Sequence, residues 1–361
     1  MEPSFIINSI TSKDEPPRAR HQIAYALAKK FPVIFVSANK TGGLGSQLIE
    51  ESRNLKFYIP YFPIDYRIRI RIPLINLIYQ KWLFRNLKKR YPNYTVINFD
   101  FTAKYISQFF VDNIYYCNDD FIGISKRINP GWISKYQEKC EELVTKNSRF
   151  CVGTSKYITG KLTNYNNNSF EIRLGAPEVK NIERYIKRID RLNNKINVGL
   201  VGYFNTLDFS LLEILFKNQD LFFTLVGPMN KKFEERLNAY QNVRITGKLV
   251  GDQLFEEVNK FDVGLIPYSL DSKVDRTPNK LWLYLALGKP VVISNIHGIK
   301  DWQFPERFVY RANSNEEFLK LIEKAQLEDD SRVTMDRINF AKMNTWDARI
   351  NEFLQLNHKL K

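Results

Sequence analysis

Apolar positions along this chain fall in short blocks, separated by polar loops and by stretches with helical period. Ser4 to Ile10 (SFIINSI) reads as a buried strand. The polar loop TSKDEPP leads into a helix from about Arg18 to Lys30, and Val33–Val36 (VIFV) is the next strand. Thr95–Phe99 and Asn113–Cys117 read as further strands, Glu138–Lys146 as a helix, Phe150–Ser155 as strand plus turn, and Glu171–Gly175 as a closing strand. The chain then turns polar and charged (KNIERYIKRIDRLNNK, Lys180 to Lys195) before breaking into INVGLVGYF. This predicts a first domain over 1–180, a linker over 181–195 and a second domain over 196–345. Phe222–Gly227, Val243–Leu249 and Val263–Pro267 continue the second domain as strands. The repeated strand–helix–strand spacing predicts an α/β protein with parallel sheets, which bind ligands beyond the carboxyl ends of their strands.

The stretch from Phe261 to Ser294, FDVGLIPYSLDSKVDRTPNKLWLYLALGKPVVIS, carries the most chemistry. After the Val263–Pro267 strand and a polar loop, Thr277-Pro278 stands where a helix begins, since Thr is a favoured cap and Pro suits the first turn. Leu281, Leu285 and Leu287 follow among the apolar positions, Gly288 marks the helix stop, and Pro290–Ile293 reads as the next strand. A cation, Lys280, and a candidate cap therefore gather at a helix N-terminus, where free N–H groups and the helix dipole favour a phosphate.

These residues resemble the donor-site signature of GT-B nucleotide-sugar glycosyltransferases, most nearly the bacterial enzymes of capsule, exopolysaccharide and teichuronic-acid assembly. Pro278, Lys280, Leu281, Tyr284, Leu285, Ala286, Gly288, Pro290, Val291 and Val292 match; where the family places a glutamate on the donor ribose, this chain has Leu283. The resemblance implies two Rossmann-like domains facing across a cleft, the second binding a nucleotide-diphospho-sugar and the first a glycan acceptor. It also implies that Gly202, Tyr203, Lys248, Thr277, Pro278, Asn279, Lys280 and Leu281 bind the donor, with no metal and no cofactor. The implied acceptor is a glycan, lipid-linked in the preferred reading. A last helix over 346–360 is expected to pack back on the first domain.

Candidate catalytic residues lie in the first half. Asn113–Cys117 runs into Asn118-Asp119-Asp120, and a carboxylate at a strand's carboxyl end is placed to take a proton from an acceptor hydroxyl. Asp119 and Asp120 are the candidates, with helix capping as the alternative role. His21, in the first turn of the first helix, is the third, the alternative being an ordinary surface histidine. The Gly-rich TGGLGS (Thr41 to Ser46) lacks a Walker lysine and reads as a connection.

Composition and charge narrow the class. The 361 residues suggest about two domains, and 44% hydrophobic content with 26 Phe and 19 Tyr belongs to a globular protein. Three cysteines, Cys117, Cys140 and Cys151, have no metal-site spacing and favour reduced thiols in a cytosolic protein. The start has no signal-peptide pattern and no run suits a spanning helix, so a cytoplasmic protein is expected. Of the net charge of +15, Met1–Lys180 carries +12 and the rest +3. Tyr66 to Arg90 holds eight Lys and Arg and no acidic residue, interleaved with aliphatics. Such a stretch suits an anionic membrane surface on the inner face of the cytoplasmic membrane, the alternative being a core helix with a solvated basic face. Nucleic acid is not expected, because the cations alternate with aliphatics and not with stacking aromatics. The rival readings are a non-catalytic GT-B subunit, motivated by Leu283 with Asp275 as the candidate substitute, a nucleotide-sugar epimerase, and a nucleic-acid-binding protein suggested only by charge.

Overall fold

The computed structural model describes residues 3–185, 195–204, 207, 209–269 and 277–360. Most of the expected linker (186–194) and Asp275 lie outside them. The described residues fall into two compact units, one of 3–174, 277 and 346–360 and the other of the remainder.

The first unit runs β1 (Phe5–Asn8), α1 (Ala19–Ala28), β2 (Val33–Val36), β3 (Lys40–Thr41), β4 (Gly45–Ser52), β5 (Leu55–Phe62), α2 (Tyr66–Arg69), α3 (Pro73–Arg90), β6 (Thr95–Asn98), β7 (Asn113–Cys117), α4 (Phe121–Ile128), α5 (Gly131–Lys146), β8 (Phe150–Gly153), α6 (Lys156–Thr163) and β9 (Ser169–Glu171). Its sheet has the order β3-β5-β2-β1-β6-β7-β8-β9, with β4 antiparallel on β5. The second unit runs β10 (Ile196–Val201), α7 (Phe209–Phe216), β11 (Leu221–Val226), α8 (Lys231–Leu237), β12 (Val243–Gly247), α9 (Gly251–Asn259), β13 (Val263–Ile266), α10 (Asn279–Ala286), β14 (Val291–Ser294), α11 (His297–Lys300), β15 (Val309–Ala312), α12 (Glu317–Leu327) and α13 (Ser331–Met343). Its sheet is parallel throughout, in the order β12-β11-β10-β13-β14-β15. Both sheets contain the doubly wound order 3-2-1-4-5-6, so each has a switch point beside its first strand: β1/β6 in one and β10/β13 in the other.

Several expectations shift. The β4–β5 hairpin, turned at Arg53-Asn54, was not anticipated, although LKFYIPYF is rich in strand formers. The closing strand is Ser169–Glu171, not Glu171–Gly175: its last bond to β8 is Ile172 N–H to the Gly153 carbonyl at 3.0 Å, and β8 ends at Gly153, leaving nothing beyond it to pair with. Helix α5 starts at Gly131, not Glu138. The last helix, α14 (Trp346–Lys359), belongs to the first unit. It buries Trp346, Ile350 and Phe353, sets Phe353 against Phe5 and Phe150 (6.4 and 6.0 Å between ring centroids), and pairs Asp347 with Lys29 at 2.6 Å.

Two buried polar side chains fix local geometry. Strands β10 and β13 pair only at Val198–Val263 and Gly199–Gly264. Beyond that point the Tyr284 hydroxyl, reaching back from α10, accepts from the Val201 N–H at 2.8 Å and lies 3.2 Å from the Gly199 carbonyl. Burial raises its pKa well above the usual phenol value, so it stays a neutral phenol. Gly264 makes room for the ring: a Cβ there would meet it at 2.5 Å. In the first unit, His21 is buried at the start of α1. Its Nδ1 accepts from the Arg18 N–H at 3.1 Å, its Nε2 lies 3.2 Å from the Ser12 carbonyl, and its ring stacks on Phe35 at 4.8 Å. It is therefore not a helix-surface residue. Burial, and then Arg20, push its pKa down from 6.5 to about 4.

Tyr284→Phe keeps the ring but leaves the Val201 N–H without its acceptor. It is expected to lower stability by about 1–3 kcal/mol in urea unfolding, with the fold retained. For His21 the folded pKa lies below the unfolded one, so the unfolded chain binds the extra proton first. Stability should fall by roughly 3 kcal/mol between pH 6.5 and 4. His21→Gln should flatten thermal midpoints across that window.

Candidate functional site

The carboxyl end of β10 carries the second unit's site. Gly202 follows the strand at φ +134°, a conformation that favours glycine. A Cβ at Gly202 would stand 2.8 Å from the Lys280 ammonium, so that ammonium rests on bare backbone at the β10/β13 switch point. The same Nζ lies 5.5 Å from the centre of the Tyr268 ring, which attracts a cation through its π-face. Lys280 is half-buried one residue inside the start of α10, with Asn279 exposed beside it. Tyr203, next to Gly202, is exposed, and Leu281 is buried in the core.

Thr277 and Pro278 stand differently from their expected geometry. Pro278, not Thr277, occupies the cap position of α10, and no side chain caps the helix. Thr277 lies one residue outside it and directs its hydroxyl to that of Thr154, 3.1 Å away. Lys248 is exposed just after β12, two strands from β10. Leu283, the residue in place of the family's glutamate, is buried.

At the first unit's switch point the ends of β1, β6 and β7 lie side by side, Asn8 opposite Asn98 and Asn98 opposite Tyr115. Asp120 is buried and occupied: it caps α4 by accepting from the Gly123 N–H at 3.1 Å and pairs with Lys161 at 3.1 Å. Gly123 is required there, since a Cβ would lie 2.0 Å from the carboxylate. Lys161 also pairs with buried Glu141 at 2.7 Å, and Glu141 accepts from the Tyr115 hydroxyl at 2.8 Å. Burial opposes the charge on Lys161, yet Glu141 carries its pKa above the ordinary lysine value. Asp119 is half-buried, and its charge acts on the neighbouring Arg20.

Sequence reasoning missed Arg20 and Asp100. Arg20 is buried on α1, with its guanidinium 5.8 Å from the Phe99 ring. Asp100 is buried after β6 and accepts from the Thr102 N–H and hydroxyl at 2.8 and 2.7 Å. Neither belongs to a motif; the available signal was position alone, one at the start of the helix after β1 and one just past a strand end.

The basic stretch 66–90 splits at Ile70–Ile72 into α2 and α3. Arg69 is withdrawn from its surface: buried, it stacks 3.8 Å over Tyr79 and hydrogen-bonds Asn39 and Asn76. The outer face of α3 presents Leu74, Ile78, Lys81, Arg85 and Lys89. Helix α5 stands beside α2 and α3, through Gln137 to the Ile70 carbonyl just past α2 and Asn76 to the Tyr136 hydroxyl, both at 3.2 Å, and follows a turn from α4. Ile128 and Trp132 are exposed at that turn. Among the described residues no cluster of His, Cys, Asp or Glu is arranged to hold a metal, and no helix is long and apolar enough to cross a membrane.

Residues 173–325 match the family described as Glycosyl transferases group 1. No curated protein matches the chain by sequence. Among solved structures, the chain is similar to sucrose-phosphate synthase from Thermosynechococcus elongatus, at 14% identity, TM-score 0.76, and coverage of 100% of this chain and 99% of that one. It is similar to a trehalose-6-phosphate structure from E. coli bound with UDP-2-fluoro glucose, at 9% identity, TM-score 0.73, and coverage of 98% and 99%. A lipopolysaccharide outer core galactosyltransferase in its apo form matches at 11% identity, TM-score 0.66, and coverage of 99% of both chains. At these identities the likeness is one of fold. The group 1 segment sits on a complete doubly wound sheet and the fold is shared over the whole length, so the chain has the GT-B fold of glycosyltransferases.

Proposed function

We propose that this protein moves a sugar from a nucleotide-diphospho-sugar to a glycan acceptor, lipid-linked, in bacterial surface polysaccharide synthesis. The observation that carries the donor half is the Lys280 ammonium held against Gly202 at the β10/β13 switch point. A cation there, beside the free N–H groups of α10, is suited to neutralise a diphosphate as it leaves. Gly202 keeps the approach open, and Tyr203 and Asn279 flank it. On the acceptor side Asp119 is the candidate base, since Asp120 is engaged by Gly123 and Lys161.

The lipid-linked acceptor and a peripheral site on the inner face of the cytoplasmic membrane are supported by the outer face of α3. Leu74 and Ile78 are 65% and 54% exposed and continue into Lys81, Arg85 and Lys89, with Ile128 and Trp132 nearby. Aliphatics and an indole enter the interface while cations meet anionic headgroups, each cation contributing on the order of 1 kcal/mol.

Two experiments test these readings. Titration with UDP-, GDP- and dTDP-sugars should give saturable binding of one donor, weakened at least about tenfold in Lys280→Ala, the loss of one charge-assisted contact. Binding to none would sink the donor reading and leave a non-catalytic subunit. Release of an altered nucleotide-sugar with no sugar on an acceptor would identify an epimerase. For the membrane, co-sedimentation with vesicles containing phosphatidylglycerol should exceed that with neutral vesicles and fall as salt rises. Leu74→Asp with Ile78→Asp should lose it by about tenfold or more. Equal sedimentation with both vesicle types would refute the anionic-surface assignment.

A further inference from the structure

The first unit's switch point contains a buried donor and a buried acceptor that no described residue satisfies. Arg20 is only 4% exposed, yet its Nε has no hydrogen-bond partner among the described residues. The same holds for Asn118 Oδ1, buried in the loop after β7. An N–H or carbonyl sealed from water without a partner is costly, and native proteins keep few of them. Two at one sheet edge indicate a ligand that completes them.

The placement of Arg20 follows from its neighbours. It stands on the helix after β1, its guanidinium lies over Phe99 just past β6, and Asp119 after β7, Glu15 and Asp100 favour its charge while Arg18 opposes it. The side chain therefore spans the ends of β1, β6 and β7, which adjoin in the sheet. Asn118 immediately precedes Asp119, and its backbone carbonyl is held by the Thr154 hydroxyl at 3.2 Å, which fixes the loop.

The chemistry selects the ligand. An anion would find two guanidiniums, Arg20 and Arg18, against three carboxylates, with Arg18 already paired to Glu15 at 2.7 Å, so charge does not favour a phosphate. A hydroxyl both accepts and donates, and can take the Arg20 N–H while giving its proton to Asn118. We infer that Arg20 and Asn118 form a subsite for the hydroxyls of a neutral sugar. Resting on the glycosyltransferase reading above, it makes the acceptor's terminal residue an uncharged sugar, held beside Asp119.

The test follows the Arg20 Nε–Hε resonance of the 15N-labelled full chain, assigned with Arg20→Lys. Glucose, galactose, mannose and N-acetylglucosamine are titrated separately, with inorganic phosphate as the anionic probe. The expected result is a saturable shift with at least one neutral sugar and none with phosphate. Asn118→Leu, a loop change that spares the helix, should weaken that sugar about tenfold, as the loss of one hydrogen bond does. A shift with phosphate alone, no shift with any probe, or unchanged affinity in Asn118→Leu would overturn the inference. Nucleotide-sugars titrated in parallel separate the two claims. If they bind and no sugar moves Arg20, only this subsite falls; if a sugar moves Arg20 and no nucleotide-sugar binds, the donor reading falls and the subsite stands.

Discussion

The second unit depends on how its sheet closes where β10 and β13 diverge. A parallel sheet that reverses strand order leaves a crevice there, and a crevice leaves backbone groups without ladder partners. Here one phenol hydroxyl supplies the missing acceptor for Val201 and reaches the Gly199 carbonyl. Tyr284 stands one helical turn after Lys280 on α10. The bond that closes the sheet therefore also fixes the height and rotation of the helix that presents the ammonium to Gly202. Closure of the crevice and placement of the cation are a single constraint, and the glycines at 202 and 264 are what that constraint leaves room for.

The first unit solves a related problem with charge. Lys161 bridges Glu141 and Asp120, and Glu141 takes the Tyr115 hydroxyl, so that two buried carboxyl groups share one half-buried ammonium. Such a cluster gives geometry more than stability, because desolvation offsets much of the Coulomb attraction. It holds the β7–α4 loop in place and occupies Asp120, so the two adjacent carboxylates do different work: one caps a helix, the other stays near Arg20.

Much of the fold was legible because its signals are local. Short apolar blocks at regular spacing mark buried parallel strands, and the segment around Lys280 carries its own strand, helix and stop. The β4–β5 hairpin escaped because β4 is mostly exposed and lacks a continuous apolar block. Thr277 was read as a cap from residue type, but the helix starts one position later and its hydroxyl finds Thr154. Arg69 looked like one more surface cation in a basic run; only the fold shows Tyr79 beneath it and Asn39 and Asn76 beside it. Arg20 was invisible for the opposite reason. Its interest lies in what it does not touch, and no spacing rule encodes an unmet hydrogen bond.

Helix α14 gives the first unit a history as well as a shape. Phe5 and Phe150 are covered in part by Phe353, and Lys29 finds its partner in Asp347, residues made between about two and three and a half hundred positions later. While the ribosome is still producing the second unit, the first has its strands but lacks the helix that belongs on that face. The first unit is thus completed only after the second has been made, and until then the aromatic rings that Phe353 meets stand without it.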